Sequence, residues 1–321
     1  MMRVWAVYCI LCWVVAAMLL AASLLRRISL SAAARRERRF AKRYMHIITS
    51  GILDGEGIPM ARFPMCERRG AREVLARLLA EASSSTFFEE PGAVRRMVAA
   101  NGVEGWLLRR IRHSRGYVRA RYLAMLSSLP VSHSTAACID RFSSSRDRFT
   151  LFRTMLVRIA AEPSSAVRLL SEFPYPLTHF EMAELTSMLR RGLLPLAYAP
   201  LLASENRNLR MLGLNIVRLF GITESEHRLL AILSDEDVRD EEFRDETVYI
   251  LASLHLSVSR NAVVEHIRSM KPERRRALFR RLASEGYSVA ALMRLAEGEE
   301  QLYIESLVAS YKRTLVCHSR I

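Results

Sequence analysis

Residues Asn206 to Phe220, NRNLRMLGLNIVRLF, carry the pattern that decides the fold. Leu209, Leu212, Ile216, Leu219 and Phe220 recur at intervals of three and four, so they share one face of a helix, and Arg207, Arg210 and Arg218 lie off that face. Gly221 follows as a stop, because glycine enters the left-handed conformation that ends helices at little cost. Working outward, the same period predicts helices over Tyr117–Ser128, Asp147–Ala161, Thr178–Arg190, Glu241–His255, Pro272–Ser284 and Glu299–Tyr311. Their starts are spaced by roughly 30 residues, an interval that belongs to stacked helical hairpins. Shorter apolar helices are expected between them, at Thr135–Phe142, Ala166–Phe173, Leu193–Ala203, Glu224–Leu233, Ala262–Met270 and Val289–Glu297. Pro130, Pro163, Pro195 and Gly221 punctuate the alternation, and no strand periodicity appears beyond Ala71.

The block from Asn206 to Gly221, with its Asn/Arg opening, Leu-x-x-Leu-Gly-Leu middle and Leu-Phe-Gly close, resembles the second helix of a HEAT repeat. Arg119–Leu129 and Arg244–Leu256 are looser echoes. The intervals of about 27 to 36 residues fall short of the HEAT length of about 40, and the tetratricopeptide signature is absent. The resemblance implies an all-α chain whose antiparallel helix pairs stack into an α-solenoid, with an extended concave surface offered to a partner. It brings no catalytic residues with it. A non-repetitive all-α bundle is the alternative.

Composition agrees with helices. Half of the 321 residues are hydrophobic, yet aromatics make up only 8% and glycines number 13, a balance that suits Leu/Ala-rich helices better than sheets. The formal charge of +15 invites a nucleic-acid reading. About half of it, however, is concentrated near the N-terminus, beside an apolar stretch.

That stretch is Val4–Leu25, VWAVYCILCWVVAAMLLAASLL, without a charged residue. As a helix it would be about 33 Å long, enough for a hydrocarbon core of about 30 Å. It is expected to be a transmembrane anchor; a cleaved leader ending at Ala21-Ala22-Ser23 is the competing reading. Arg26, Arg27, Arg35, Arg36, Arg38, Arg39, Lys42 and Arg43 follow, offset only by Glu37. Basic flanks stay in the cytoplasm, so the expected topology is single-pass, N-terminus outside, with the helical domain inside. These eight residues are the candidate membrane-surface contacts. Within the same segment Phe40, Tyr44, Ile47 and Ile48 form an apolar stripe with the basic residues on the other faces, so the whole stretch is expected to be an amphipathic helix next to the membrane.

The domain plan is thus an anchor over 1–25, a basic juxtamembrane amphipathic helix over 26–50, a Gly/Pro-containing linker over 51–70, a helical repeat domain over 71–312 and a short tail over 313–321.

Residues that could carry chemistry are few. Cys9 and Cys12 form a CxxC, but it lies inside the apolar span, where a thiolate is disfavoured. The eight histidines show no HExxH and no ligand spacing, and Gly55-Glu56-Gly57 lacks the GxxxxGK[ST] pattern of a phosphate loop. The acidic run from Asp235 to Glu246 misses the glycine of a calcium loop, since Asp240 stands at its sixth position. It reads instead as a helix start capped by Ser234 or Asp235, opposite in charge to the basic segment Lys271–Arg281 of the next hairpin. No cofactor and no metal is expected. The expected function is a non-enzymatic membrane-anchored scaffold for a protein partner, itself a membrane-associated enzyme or assembly. A peripheral membrane enzyme and a binder of nucleic acid or anionic polymer are the alternatives.

Overall fold

The computed structural model describes scattered residues between 13 and 35, residues 37–49, Phe63, and residues 70–85, 92–190, 196–235, 240–254 and 260–318, apart from 286, 288, 297 and 299. Every regular element among them is helical, so the chain is all-α. Two compact units divide it: residues 1–169 with 191–194, and residues 170–190 with 195–321.

The first unit contains α1 (37–49), α2 (Ala71–Ser85), α3 (Gly92–Ala100), α4 (Val103–His113), α5 (Gly116–Ser127), α6 (His133–Ile139) and α7 (Arg148–Ala161). Helix α8 (Ala166–Ser171) straddles the division. Helix α4 packs on α5 and α6, and α5 packs most extensively on α7. Ser132 and Thr135, at the start of α6, both hydrogen-bond Glu104 at the start of α4, which ties the N-terminal ends of these two helices together. The starts are set locally: the Ser132 hydroxyl accepts from the Thr135 amide, and an Asp147 carboxylate oxygen accepts from the Thr150 amide. The core is aliphatic, with Leu75, Leu79, Leu107, Ile111, Leu123 and Leu126 buried together.

The apolar side of α1 is covered by the protein itself. The stripe Phe40, Tyr44, Ile47 and Ile48 of α1 packs on protein: Tyr44 and Ile48 are fully buried, and the Tyr44 ring meets Phe63 edge-on at 5.3 Å. A helical apolar period says that something apolar covers the face, and lipid and protein cores satisfy it equally. Phe63, in the segment expected to be a linker, is itself buried, and its amide donates to Asn101 Oδ1 at 2.8 Å. The rest of 51–69 lies outside the described residues.

The second unit contains α9 (His179–Arg190), α10 (Tyr198–Leu202), α11 (Arg207–Phe220), α12 (Glu226–Ser234), α13 (Glu241–Ser253), α14 (Arg260–Ser269), α15 (Pro272–Ser284), α16 (Val289–Met293) and α17 (Glu300–His318). The odd-numbered helices form a continuous succession, α9 on α11, α11 on α13, α13 on α15 and α15 on α17. The shorter helices α10, α12 and α16 each lie against the longer helix that follows, while α14 packs on α13, which precedes it. Starts of the long helices are capped in turn. At α9 a capping box forms, with the Glu181 amide donating to Thr178 Oγ1 and the Thr178 amide to Glu181 Oε2. At α11 Asn206 Oδ1 accepts from Asn208 and Leu209, and Gly221 ends the helix at φ +59°. The cap of α13 is Asp240, which accepts from the Phe243 amide at 3.1 Å; the expected caps Ser234 and Asp235 stand upstream of it.

Gly213, at the middle of α11, faces α10 at close range. A Cβ there would stand 3.0 Å from the Leu202 amide nitrogen and 3.1 Å from Leu201 Cβ. Around it Leu212, Leu214, Ile216 and Val217 are buried, each contributing about 1.5–3 kcal/mol as removed apolar surface.

Candidate interaction surfaces

Of the eight expected membrane-contact residues, Arg27, Arg35, Arg38, Arg39, Lys42 and Arg43 are described, and all six are exposed. Arg26 and Arg36 lie outside the described residues, as does most of Val4–Leu25 with Cys9 and Cys12. No helix among the described residues is long and apolar enough to cross a membrane. In α1 the basic residues occupy the face opposite Tyr44 and Ile48, and Arg38, Arg39, Lys42 and Arg43 form no ion pair among the described residues. Glu37, the only acid of the segment, pairs with Arg77 of α2. The helix is therefore clamped to the first unit on one side and on the other presents a cationic face that meets no acid among the described residues.

The first unit has a second exposed surface at the N-terminal ends of α5 and α7. Tyr117 and Phe149, each the second residue of its helix, are 81% and 65% exposed. Arg112, in the last turn of α4, is exposed, as are Arg115 and Arg146 just before α5 and α7.

In the second unit the acidic start of α13 is consumed by its neighbours. Arg207, the first residue of α11, pairs with Asp240 at 3.1 Å and with Glu242. Arg274 of α15 pairs with Glu241 and, at 2.5 Å, with Asp245. Arg281 of α15 grips Glu246 through both terminal nitrogens, one at 2.8 Å. A guanidinium fork matches a carboxylate in two parallel bonds, and Glu246 is nearly inaccessible to water. The Arg281 guanidinium also lies over the Tyr249 ring, whose hydroxyl donates to Glu285, and Arg218 of α11 reaches the same carboxylate at 3.1 Å. These partners are separated by about one repeat: 33 residues for Arg207–Asp240, 35 for Arg281–Glu246 and 36 for Tyr249–Glu285. Helices one repeat apart thus run parallel and in register.

Burial first, then the hydrogen bond to Glu285 and its negative charge, push the Tyr249 hydroxyl well above its ordinary pKa, against the opposing pull of Arg281 and Arg218. Burial also raises Asp245, against the pull of Arg274. His266 of α14 is lowered by burial first and then by Arg244 and Arg274. No three His, Cys, Asp or Glu side chains among the described residues are grouped to hold a metal ion. A small cleft of about 260 Å³ does bring His179 beside Glu242, Asp245 and Glu246, a juxtaposition the scattered sequence positions do not show. Its acids are engaged by Arg207, Arg274 and Arg281, so it serves cohesion between helices.

Comparison with protein-family models, with curated proteins and with solved structures finds no match.

Proposed function

We propose that this chain is a membrane-anchored scaffold: a HEAT-like α-solenoid, non-enzymatic, tethered by Val4–Leu25 and presenting its helical surface to a protein partner at the cytoplasmic face. The observation that carries the reading is α1. Its cationic face is exposed directly after the uncharged span, while Tyr44 and Ile48 lock its other face into the core. A helix so placed transmits the position of an anchor to the whole first unit. Each basic residue near an anionic leaflet adds about 1 kcal/mol of attraction, enough in sum to orient the body on the surface. The in-register succession α9, α11, α13, α15 and α17 supports the repeat reading, since stacked hairpins build extended surfaces. Tethering raises the effective concentration of a co-anchored partner, so the interface need not be tight.

The test is affinity capture of the tagged full-length chain in mild detergent, with and without crosslinking. Recovery of one protein in stoichiometric amount from membranes supports the reading. Its absence in both forms, or catalytic turnover by the chain alone, overturns it.

A further inference from the structure

Between Glu104 and Asp140 the chain carries no acid, and both of those carboxylates are engaged, Glu104 by Ser132 and Thr135 and Asp140 by Arg158. The turn that joins α4 to α5 lies within this stretch. The Ser114 amide donates to the Arg110 carbonyl at 3.0 Å, Gly116 turns the chain at φ +50°, and the Arg119 Nε–H reaches back to the Ile111 carbonyl at 3.3 Å. A turn held in this way still presents large side chains to solvent: Tyr117 is 81% exposed and Val118 48%. Arg112 and Arg115 flank them, both exposed and neither in an ion pair among the described residues.

The turn is also tied to α1. Glu73 and Arg77 stand one helical turn apart on α2. Arg77 holds Glu37, at the start of α1, and Glu73 holds Arg121, one turn beyond Tyr117 in α5, at 3.1 Å. The end of α1 that follows the apolar span and the first turns of α5 therefore border the same stretch of α2.

An exposed aromatic and aliphatic pair flanked by guanidiniums has two natural counterparts. The bases of a single strand stack on a ring such as Tyr117 but have no use for Val118. A bilayer surface takes both, because aromatic rings are favoured at headgroup depth, aliphatic carbon enters the acyl boundary and cations are drawn to anionic headgroups. We infer that the α4–α5 turn is a second membrane contact, with Tyr117 and Val118 dipping into an anionic leaflet and Arg112 and Arg115 on its headgroups. The inference rests on the anchored reading above and gives the first unit a fixed orientation on the surface.

Val118→Cys, on a chain whose five native cysteines are replaced by serine, carries an environment-sensitive nitrobenzoxadiazole label. The full-length protein is reconstituted into nanodiscs of phosphatidylcholine alone or with phosphatidylserine, each with doxyl lipid as quencher. Blue-shifted, quenched emission in the phosphatidylserine discs is the expected result, with the quenched fraction reduced about tenfold when Arg112→Glu and Arg115→Glu are combined, at unchanged thermal melting. Tyr117→Ser lowers it as well. Protein held only by the phosphatidylserine discs, with its label quenched, keeps the contact and removes the anchor. Protein held by both discs with an unquenched label overturns the contact and leaves the anchor standing; a label that then responds to single-stranded RNA reassigns the turn to nucleic acid. Quenching that survives the charge reversals also overturns the inference.

Discussion

Arg281 stands with its guanidinium 3.5 Å from the centroid of the Tyr249 ring while its terminal nitrogens hold Glu246, so one side chain of α15 closes both an aromatic and an ionic contact with α13. Removing it leaves Glu246 buried and unpaired. A fully buried pair broken in this way costs 3–5 kcal/mol; since the Arg281 side chain is 34% exposed, Arg281→Ala is expected to cost roughly 2–3 kcal/mol. Arg281→Lys restores charge without the fork and recovers only part of this. Urea denaturation measures both, and an alanine variant within 0.5 kcal/mol of the parent, about the scatter of ordinary surface substitutions, would show the network to be ornamental.

Gly213→Ala sets two effects against each other. Alanine is favoured over glycine inside a helix by about 1 kcal/mol, but the added methyl meets the Leu202 backbone at 3.0 Å. Backbone cannot yield as a flexible side chain can, so a net destabilisation of about 1–2 kcal/mol is expected. Thermal melting decides the sign; a stabilised variant would mean that α10 moves aside freely.

The two faces of α1 should separate cleanly. Tyr44→Ala opens a cavity and is expected to cost about 3–5 kcal/mol, with faster amide exchange across 37–49. Replacing Arg38, Arg39, Lys42 and Arg43 by glutamine should change stability by under about 1 kcal/mol, because these side chains are exposed and form no ion pair among the described residues. Hydrogen exchange with mass spectrometry reads both; protection of α1 that survives Tyr44→Ala would contradict its docking.

The pH response of the second unit should carry the mark of His266. Its folded pKa lies below the ordinary 6.5, so the unfolded chain takes up the proton first as the solution is acidified. The stability it contributes is present above pH 6.5 and is lost as pH falls below it. His266→Gln is expected to flatten that part of the stability profile between pH 8 and 5, and parallel profiles for parent and variant would remove the assignment.

Much of the helical body is legible in the sequence because its signals are local. Asn206 and Gly221 bracket α11 as cap and stop, Asp147 caps α7, and Pro272–Ser284 is α15 to the residue. The start of α13 is equally clear, but a run of acids offers several caps, and only the geometry selects Asp240. The sites depend on what lies a repeat away. Arg274 and Arg275 are neighbours in sequence, yet one faces Asp245 and the other Glu300, a division set by the position of α15 between α13 and α17. Likewise the stripe of α1 announces burial without saying in what, and Tyr44 against Phe63 supplies the answer.

The proposed arrangement is a helical body held to a membrane by its N-terminal span, with the bulk of the chain on the cytoplasmic side. Cys138, exposed on α6, reports it directly once the other cysteines are replaced by serine. Sealed right-side-out and inside-out vesicles are washed in alkaline carbonate and treated with an impermeant maleimide. The chain is expected to stay with the washed membranes, and Cys138 to react only in the inside-out preparation. Release of the chain by the wash, or labelling in right-side-out vesicles, would contradict it.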